Sequence, residues 1–277
     1  MTKILLTGAS SYVGARIYED LKNKYGLVGT YFQHQLFPEL VQLDLTDKRA
    51  VEQIISQQKP KIIIHVANYP SVKEAANNEP GYIKLNKEAT ETLVGMANKI
   101  GAKIIFISSF AALNTSDIYG KLKLESEEIV KKTQAGYLIL RLRLVIGLSP
   151  NTVNDRSFNR ILRCVINQQS GEFDNSWVFR PTYLPHLSQV IDQVIKHNNF
   201  WNKTISIVID HETTLKQIAQ DILKEFELEA KAAERGHDFP VIKEDASAIA
   251  EFGLKPATYK EMIKEIVREV KQMITYR

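Results

Sequence analysis

The sequence has a single cysteine and no long hydrophobic run, and each scarcity excludes a class of protein. Cys164 alone, in 277 residues, excludes an internal disulfide and any cysteine-rich metal site. Apolar stretches are short pieces such as 62–64 and 144–146, whereas a transmembrane helix needs about 18 apolar residues or more. The chain starts directly in a strand pattern, with no cleavable leader, so we expect a cytoplasmic protein.

An excess of charge of one sign is also missing. The 36 lysines and arginines nearly balance the 32 aspartates and glutamates, which gives a net charge of +4. This charge is too small and too evenly spread to indicate a nucleic-acid partner. The six histidines show no paired spacing of the kind that binds metals, so no metal site is predicted. The 44% hydrophobic content excludes a disordered chain.

The first half of the chain alternates short apolar runs with helical patterns. The predicted strands cover residues 3–7, 27–32, 40–43, 61–66, 103–108 and 137–141. The predicted helices cover residues 13–24, 48–57, 80–100 and 119–133. Strands that alternate with helices form a parallel sheet covered on both faces, and right-handed crossovers wind it in both directions. The pattern therefore predicts an α/β fold with a doubly wound parallel sheet of the Rossmann type.

The alternation ends near Gly147, and the second half predicts a smaller, mixed and mostly helical lobe. Two apolar stripes at helical spacing, over residues 215–226 and 262–273, are typical of packing faces. We expect further helices near 158–168 and 187–196, and a strand over 205–209. The predicted domains are a first domain over residues 1–148, to which 181–210 return, and a substrate-side lobe over 149–180 and 211–277.

A glycine-containing turn, Thr7–Gly14, follows the first predicted strand directly. In Rossmann folds the glycines of this turn allow a pyrophosphate to approach the backbone, and the free N–H groups of the next helix bind the anion. Gly8 and Gly14 occupy the outer positions, and Ser11 stands at the middle one. The alternative is a tight β–α turn without a ligand. In this fold context the turn predicts that the first domain binds a dinucleotide.

Tyr119 and Lys123 lie one helical turn apart at the head of a predicted helix, so their side chains leave the same face. A nearby ammonium favours the phenolate, and we therefore expect Lys123 to lower the pKa of Tyr119 from its usual value near 10. Such a phenol can act as a general acid towards a carbonyl oxygen. Ser108 and Ser109 end the preceding strand, at the sheet edge where ligands bind in open α/β folds.

These features occur in the order found in the short-chain dehydrogenase/reductase superfamily, which the sequence resembles. More narrowly, the sequence looks like the dTDP-4-dehydrorhamnose reductase family, in the extended branch that handles nucleotide sugars. The segments that carry the likeness are 43–47, 59–67, Asn86, 107–109, 119–125, 140–141 and 180–183. They span most of residues 1–190, and the C-terminal third matches only as a helical pattern.

The resemblance implies a role for each matching position. Tyr119 would donate a proton, Lys123 would hold the nicotinamide ribose, and Ser109 would bind the substrate carbonyl. The glycine turn would cradle the pyrophosphate, Asp44 and Leu45 would border the adenine, and the end of the fourth strand would line the groove. The residues assigned to cofactor binding are Gly8, Ser10, Ser11, Tyr12, Val13, Gly14, Thr30, Tyr31, Asp44, Leu45, Val66, Ala67, Asn68, Ser108, Tyr119 and Lys123.

The end of the second strand bears on the choice between the two nicotinamide cofactors. NAD enzymes commonly place an acidic residue there for the ribose hydroxyls, and the stretch Thr30–His34 contains none. Arg16 follows the glycine turn and His34 is near, so a 2′-phosphate can be accommodated. The sequence thus slightly favours NADP(H) over NAD(H) as the cofactor.

Three positions depart from the family pattern. Ser11 replaces the middle glycine, the interval between Ser109 and Tyr119 lacks the longer insertion that helps form the sugar pocket, and Leu144 stands where the family often has an aromatic residue. The departures leave cofactor binding expected and the substrate open. A dehydratase is disfavoured, because Phe110 and Ala111 stand where it would need an acid/base pair.

The function predicted is therefore that of an NAD(P)H-dependent reductase of a keto sugar nucleotide. A nucleotide-sugar epimerase with the same fold stays open. So does a non-enzymatic NADP-binding regulatory subunit, because the resemblance includes regulatory subunits of methionine adenosyltransferase. The partner expected is a small-molecule substrate, with no nucleic acid and no membrane, and a homodimer is left open.

Overall fold

A sheet of seven parallel strands dominates the computed structural model, which describes residues 1–69, 78–198, 200–236 and 246–275. The strands of this sheet are β1 (Lys3–Thr7), β2 (Gly26–Tyr31), β3 (Val41–Gln42), β4 (Ile62–His65), β5 (Lys103–Ser109), β6 (Tyr137–Leu142) and β10 (Lys203–Ile207). Their spatial order is β10-β6-β5-β4-β1-β2-β3. The predicted doubly wound, Rossmann-type parallel sheet is confirmed.

The chain changes direction at β1, which lies between β2 and β4. Ile4 is in register with Leu27 on one side and with Ile62 on the other. From β1 the chain first builds outward through β2 and β3, and then crosses back to build β4, β5 and β6. Connections that leave adjacent strands in opposite directions open a crevice at the carboxyl edge of the sheet, and ligands bind there.

Helices cover both faces of the sheet. The α-helices are α1 (Tyr12–Leu21), α2 (Lys48–Gln58), α3 (Glu79–Tyr82), α4 (Ala89–Ile100), α5 (Ile118–Val130), α6 (Ser157–Asn167), α7 (Leu184–His197), α8 (Leu215–Leu223) and α9 (Tyr259–Thr275). In β1, Ile4 and Leu6 belong to a core packed by α1 and α7, whereas Leu5 belongs to a core packed by α2, α4 and α5. Burial on both faces explains why these strands are almost wholly apolar.

The helix predicted over residues 80–100 is interrupted by a π-helical segment, Ile83–Glu88, between α3 and α4. The carbonyl oxygen of Asn86, inside this segment, accepts hydrogen bonds from the hydroxyls of Thr90 (2.9 Å) and Ser126 (2.5 Å). π-Helical turns are often found next to functional sites. Hydrophobic spacing alone does not distinguish such a segment from an α-helix.

The C-terminal part has its own core, in which α6, α8 and α9 pack together. Strand β8 (Gly171–Asp174) pairs in parallel with β11 (Ala230–Ala233), and β7 (Val145–Ile146) pairs with β9 (Thr182–Tyr183). Within the predicted lobe, the 3₁₀-helical segment Ala246–Phe252 packs instead against the core of the sheet. The domain boundaries at 148, 180 and 210 stay a prediction.

Residues 147–151, which follow β7, run alongside the glycine turn and are bonded to it. The Tyr12 hydroxyl donates to the carbonyl of Gly147. Ser149 Oγ donates to the Tyr12 carbonyl and Asn151 Nδ2 to the Ser10 carbonyl, both at 2.6 Å. The turn is therefore fixed by the sheet on one side and by this connecting segment on the other. In the described part of the chain, no helix is long and apolar enough to cross a membrane.

Candidate active site

A groove of about 850 Å³ runs along the carboxyl edge of the sheet, from the glycine turn to Tyr119. Its size is within the range of small-molecule and cofactor sites. All the residues predicted for catalysis or cofactor binding line it, with the exception of Gly14. The structure therefore brings together residues that directly follow β1 and β4, residues at the ends of β2 and β5, and residues of α5, which lie far apart in the sequence.

The two glycines of the turn are explained by its geometry. Gly8 has φ +71°, and a Cβ there would lie 2.9 Å from the backbone of Ala67. A Cβ on Gly14 would lie 2.1 Å from the carbonyl oxygen of Gly8, so Gly14 allows α1 to pack on the turn rather than lining the groove. Ser11 caps α1, because its Oγ accepts from the Gly14 N–H at 3.1 Å.

The turn fits a dinucleotide. Tyr12 and Val13, the first two residues of α1, line the groove, so the positive end of the helix faces it. The helix N-terminus favours the negative charge of a pyrophosphate. The side chain of Ser11, which replaces a glycine of the usual pattern, is occupied in capping the helix.

Ser109, Tyr119 and Lys123 meet at the other end of the groove. Ser109 ends β5, and its Oγ accepts from the Ala111 N–H at 3.1 Å and interacts with the Tyr119 phenol. Asp117 caps α5 by accepting from the Gly120 N–H at 2.7 Å, which places Tyr119 in the first turn of the helix. Lys123 Nζ donates to the Ile107 carbonyl at 3.1 Å.

The ionisation of this group differs from the expectation. Burial raises the pKa of Tyr119 above its usual value, against the opposing effects of the Ser109 hydroxyl and the Arg156 charge. Lys123 is 3% exposed, and burial lowers its pKa to about 7 although Glu127 acts in the other direction. The expected lowering of the Tyr119 pKa by Lys123 is wrong, because desolvation of the phenolate outweighs the favourable charges. A protonated phenol is the form that a general acid needs.

His65 lies below the groove floor and is almost completely buried. Its ring nitrogens contact the hydroxyls of Thr7 (2.8 Å) and Thr90 (3.1 Å). Burial, helped by the charge of Lys123, lowers the pKa of His65 to about 3. The ring is therefore neutral and connects β1, β4 and α4, as expected of a hydrogen-bonded histidine in the core rather than a base.

Sequence reasoning missed Glu127, a fully buried carboxylate one helical turn after Lys123. The Ser108 hydroxyl donates to its Oε1 at 2.5 Å, and the Arg141 guanidinium binds both oxygens, at 2.9 and 2.6 Å. Ser108 thus both lines the groove and connects β5 to α5. In the sequence Glu127 stands among Glu125 and Glu128, and nothing marks it as the buried member of this run.

The end of the groove near Asp44, where the resemblance places the adenine, removes part of the support for NADP(H). Arg16 does not line the groove, because its guanidinium binds Glu269 (3.1 Å), Asp20 (3.0 Å) and the Leu148 carbonyl (2.9 Å). Arg16 therefore gives no support to a bound 2′-phosphate. Asp44 lines the groove, but its Oδ1 accepts from the backbone N–H and the hydroxyl of Thr46, at 2.8 and 2.7 Å. His34 lines this end as an exposed side chain.

The side of the groove formed by residues 143–156 contains polar residues that the sequence did not indicate. Arg143, Asn151, Asn154 and Arg156 line the groove, together with Leu144. The Arg143 guanidinium lies 5.0 Å from the Phe110 ring centroid and 5.4 Å from that of Trp177, a cation–π arrangement that fixes its position. Among the described residues, no cluster of three or more histidine, cysteine or acidic side chains could hold a metal ion.

Solved structures with the same fold include enzymes in complex with NADP or NAD. The dTDP-4-dehydrorhamnose reductase of Bacillus anthracis, in complex with NADP, superposes with a TM-score of 0.80 at 19% identity, covering 97% of this chain and 100% of the other. The UDP-glucose 4-epimerase of Thermotoga maritima gives a TM-score of 0.81 at 19% identity, covering 98% and 99%. At such identities the similarity establishes the fold.

Sequence similarity to a relative and to a family bears on which family the chain belongs to. Methionine adenosyltransferase 2 subunit beta of Bos taurus is 30% identical over 159 residues, covering 52% of this chain and 47% of its own length. The chain thus spans about half the length of that relative. The family described as RmlD substrate binding domain matches residues 1–272. The chain therefore belongs to the RmlD substrate binding domain family.

Proposed function

We propose that the protein is an NAD(P)H-dependent reductase of a keto sugar nucleotide. The observation that carries this proposal is the convergence of Ser109, Tyr119 and Lys123 in one groove that begins at the glycine turn. A carbonyl that accepts hydride develops negative charge on oxygen, and two hydroxyl groups held at that point stabilise the charge. The family membership and the shared fold support the same reaction class.

Each of the three side chains has a separate role in the proposed reduction of the carbonyl. The nicotinamide, when bound, supplies the hydride. Tyr119 donates its phenolic proton to the carbonyl oxygen, and Ser109 donates a hydrogen bond to the same oxygen. Lys123, whose ammonium is fixed on the groove floor by the Ile107 carbonyl, has further N–H groups with which to hold the ribose. The burial that raises the pKa of Tyr119 keeps the proton in place until it is needed.

A reductase assay tests the proposal. The purified chain is incubated with NADPH or NADH and a panel of dTDP- and UDP-linked 4-keto sugars, and loss of nicotinamide absorbance is followed. We expect turnover with at least one substrate, and a loss of about 10²–10⁴-fold in Tyr119→Phe, the range typical of a missing general acid. Tyr137→Phe is the matched control, because Tyr137 begins β6 at the edge of the sheet opposite the groove. No turnover on the whole panel, or an unchanged rate in Tyr119→Phe, contradicts the proposal.

A second function is favoured by a separate observation, the 30% identity to methionine adenosyltransferase 2 subunit beta. We propose as the alternative that the chain is a nicotinamide-binding regulatory subunit without turnover. The short interval between Ser109 and Tyr119 supports it, because the insertion that helps form the sugar pocket is missing. Binding of NADPH without reduction of any substrate, together with a change in the activity of an added methionine adenosyltransferase, would favour this function over the reductase.

A further inference from the structure

A buried charged cluster lies directly behind the catalytic group. It contains Lys123 and Glu127, which are one turn apart on α5, together with Arg141 from β6 and Ser108 from β5. Lys123 is 3% exposed and Glu127 is fully buried. Buried charges destabilise a fold unless they are paired and hydrogen-bonded, and each charged group of this cluster has a hydrogen-bond partner.

Two adjacent residues of β5 bond to two residues of α5. The Ile107 carbonyl accepts from Lys123 Nζ at 3.1 Å, and the Ser108 hydroxyl donates to Glu127 Oε1 at 2.5 Å. Arg141 then binds both carboxylate oxygens from β6. The same carboxylate therefore sets the height of α5 over the sheet and, with it, the position of the ammonium on the groove floor.

Each element around Lys123 presents a charged, titratable or aromatic group to it. Its own helix supplies Glu127, whose negative charge favours the ammonium, and the Tyr119 phenol one turn before Lys123. β4 supplies His65, which is neutral, and β5 supplies the Phe106 ring, whose centroid is 4.8 Å from Nζ. β6 supplies Arg141, whose guanidinium binds the Glu127 carboxylate at 2.6 Å. Glu127 thus has Arg141 in direct contact and Lys123 one helical turn away, so we expect the positive charge of Arg141 to weaken the effect of Glu127 on Lys123.

We propose that Glu127 is a positioning residue of the site, whose buried carboxylate offsets part of the cost of burying the Lys123 ammonium and, through its bonds to Ser108 and Arg141, holds α5 where Lys123 can bind a dinucleotide ribose. The inference rests on the proposed function only for the role given to Lys123. Arg141 limits this effect, because it draws on the same carboxylate.

The experiment is an NMR titration of the Lys123 side chain, assigned with Lys123→Arg. Glu127→Gln keeps the shape of the side chain and removes its charge, and we expect the ionisation midpoint of Lys123 to move to lower pH, by roughly tenfold in ionisation constant. Arg141→Gln removes the competing cation, and we expect the midpoint to move to higher pH. A merely structural loosening would move both variants in the same direction, so the opposite signs identify the electrostatic role.

Glu128→Gln is the matched control, because its carboxylate is 58% exposed and pairs with Lys131 at 2.6 Å. We expect it to leave the midpoint unchanged. As the pH rises and Lys123 loses its charge, the affinity for NADH and NADPH, followed by nicotinamide fluorescence, should weaken. This weakening should begin at a lower pH in Glu127→Gln than in the parent protein, and Glu127→Asp should restore part of the difference.

An unchanged midpoint in either Glu127→Gln or Arg141→Gln overturns the proposal. If Glu127→Gln does not fold, the upward shift in Arg141→Gln still decides, because it tests the same carboxylate. Failure of every keto sugar to react would end the reductase proposal and leave this titration intact, so the two failures can be told apart.

Discussion

Arg16 and Glu269 join the first helix of the sheet to the last helix of the chain. The Arg16 Nη2 and Glu269 Oε1 atoms lie 3.1 Å apart, and the side chains are 16% and 18% exposed. The guanidinium also binds Asp20 and the Leu148 carbonyl. Arg16, although it follows the glycine turn, thus holds α9 against α1 and does not line the groove.

Replacing Arg16 by methionine tests this commitment. We expect the ratio of NADPH to NADH dissociation constants to stay unchanged, and the free energy of unfolding to fall by roughly 1–2 kcal/mol, since a partly buried ion pair is lost. Equilibrium dialysis and urea unfolding measure the two quantities. Glu269→Gln should cost a similar amount of stability. A selective weakening of NADPH by tenfold or more in Arg16→Met would show that Arg16 reads the 2′-phosphate after all.

Gly14→Ala should abolish nicotinamide binding and destabilise the protein. The added Cβ would lie 2.1 Å from the Gly8 carbonyl oxygen, a backbone atom that can give way only if α1 moves off the turn. Gly95→Ala, in the middle of α4, is the matched control, because nothing lies within 4 Å of its Cβ. It should raise stability by about 1 kcal/mol through helix propensity. Thermal unfolding with and without NADPH separates the two, and equal behaviour of the two variants would refute the close-packing role.

Ser109→Ala removes a hydroxyl that both caps the turn after β5, through the Ala111 N–H, and interacts with Tyr119. Because the Ser109 hydroxyl lowers the pKa of Tyr119, its loss should raise that pKa further, and turnover should fall by about 10²-fold. A difference titration of tyrosine absorbance and the reductase assay measure these effects. Ser116→Ala, an exposed position in the same loop, should change neither. A Tyr119 titration that does not move in Ser109→Ala would exclude the interaction.

Stability should fall as the solution becomes acidic below about pH 6.5. Burial lowers the pKa of His65 to about 3 and that of His186 to about 4. In the unfolded chain these rings take up protons near pH 6.5, whereas the folded chain keeps them neutral, so the stability they contribute is complete above that pH and is lost between it and the folded values. The loss approaches about 1.4 kcal/mol per pH unit for each histidine.

Urea unfolding at a series of pH values measures this dependence. His65→Gln should make the decline between pH 6 and about 4 shallower than in the parent protein. His197→Gln, which replaces an exposed ring, should leave the slope unchanged. Identical slopes in all three proteins would show that His65 takes up its proton equally well in the folded state.

Much of the sheet and part of the site follow from local sequence. Ile4–Leu6 and Ile62–Ile64 are continuous apolar runs because their strands are buried on both faces, and such runs are readily identified as strands. Tyr119 and Lys123 could be paired because the helical repeat fixes which side chains share a face. Ser109 could be added because the carboxyl ends of parallel strands meet at one edge.

The remaining features depend on contacts that local sequence does not encode. The sequence predicts Arg16 near a bound nucleotide, because its actual partner Glu269 lies 253 positions away along the chain. Nothing in the sequence distinguishes Glu127 from Glu128, since their different burial and partners are decided by how α5 packs on β5 and β6. The raised pKa of Tyr119 likewise reflects desolvation by the assembled groove, which a pairwise argument about Lys123 leaves out.

The bonds from Ser149 and Asn151 to the Tyr12 and Ser10 carbonyls have a practical consequence. A recombinant fragment cut at residue 148 would keep every strand from β1 to β7 and every residue of the glycine turn, yet two carbonyls of that turn would face water. The turn proposed to bind a diphosphate would lose the hydrogen bonds that hold its outer side. The conformation of the glycine turn therefore depends in part on residues that follow Gly147, where the alternation of strands and helices ends.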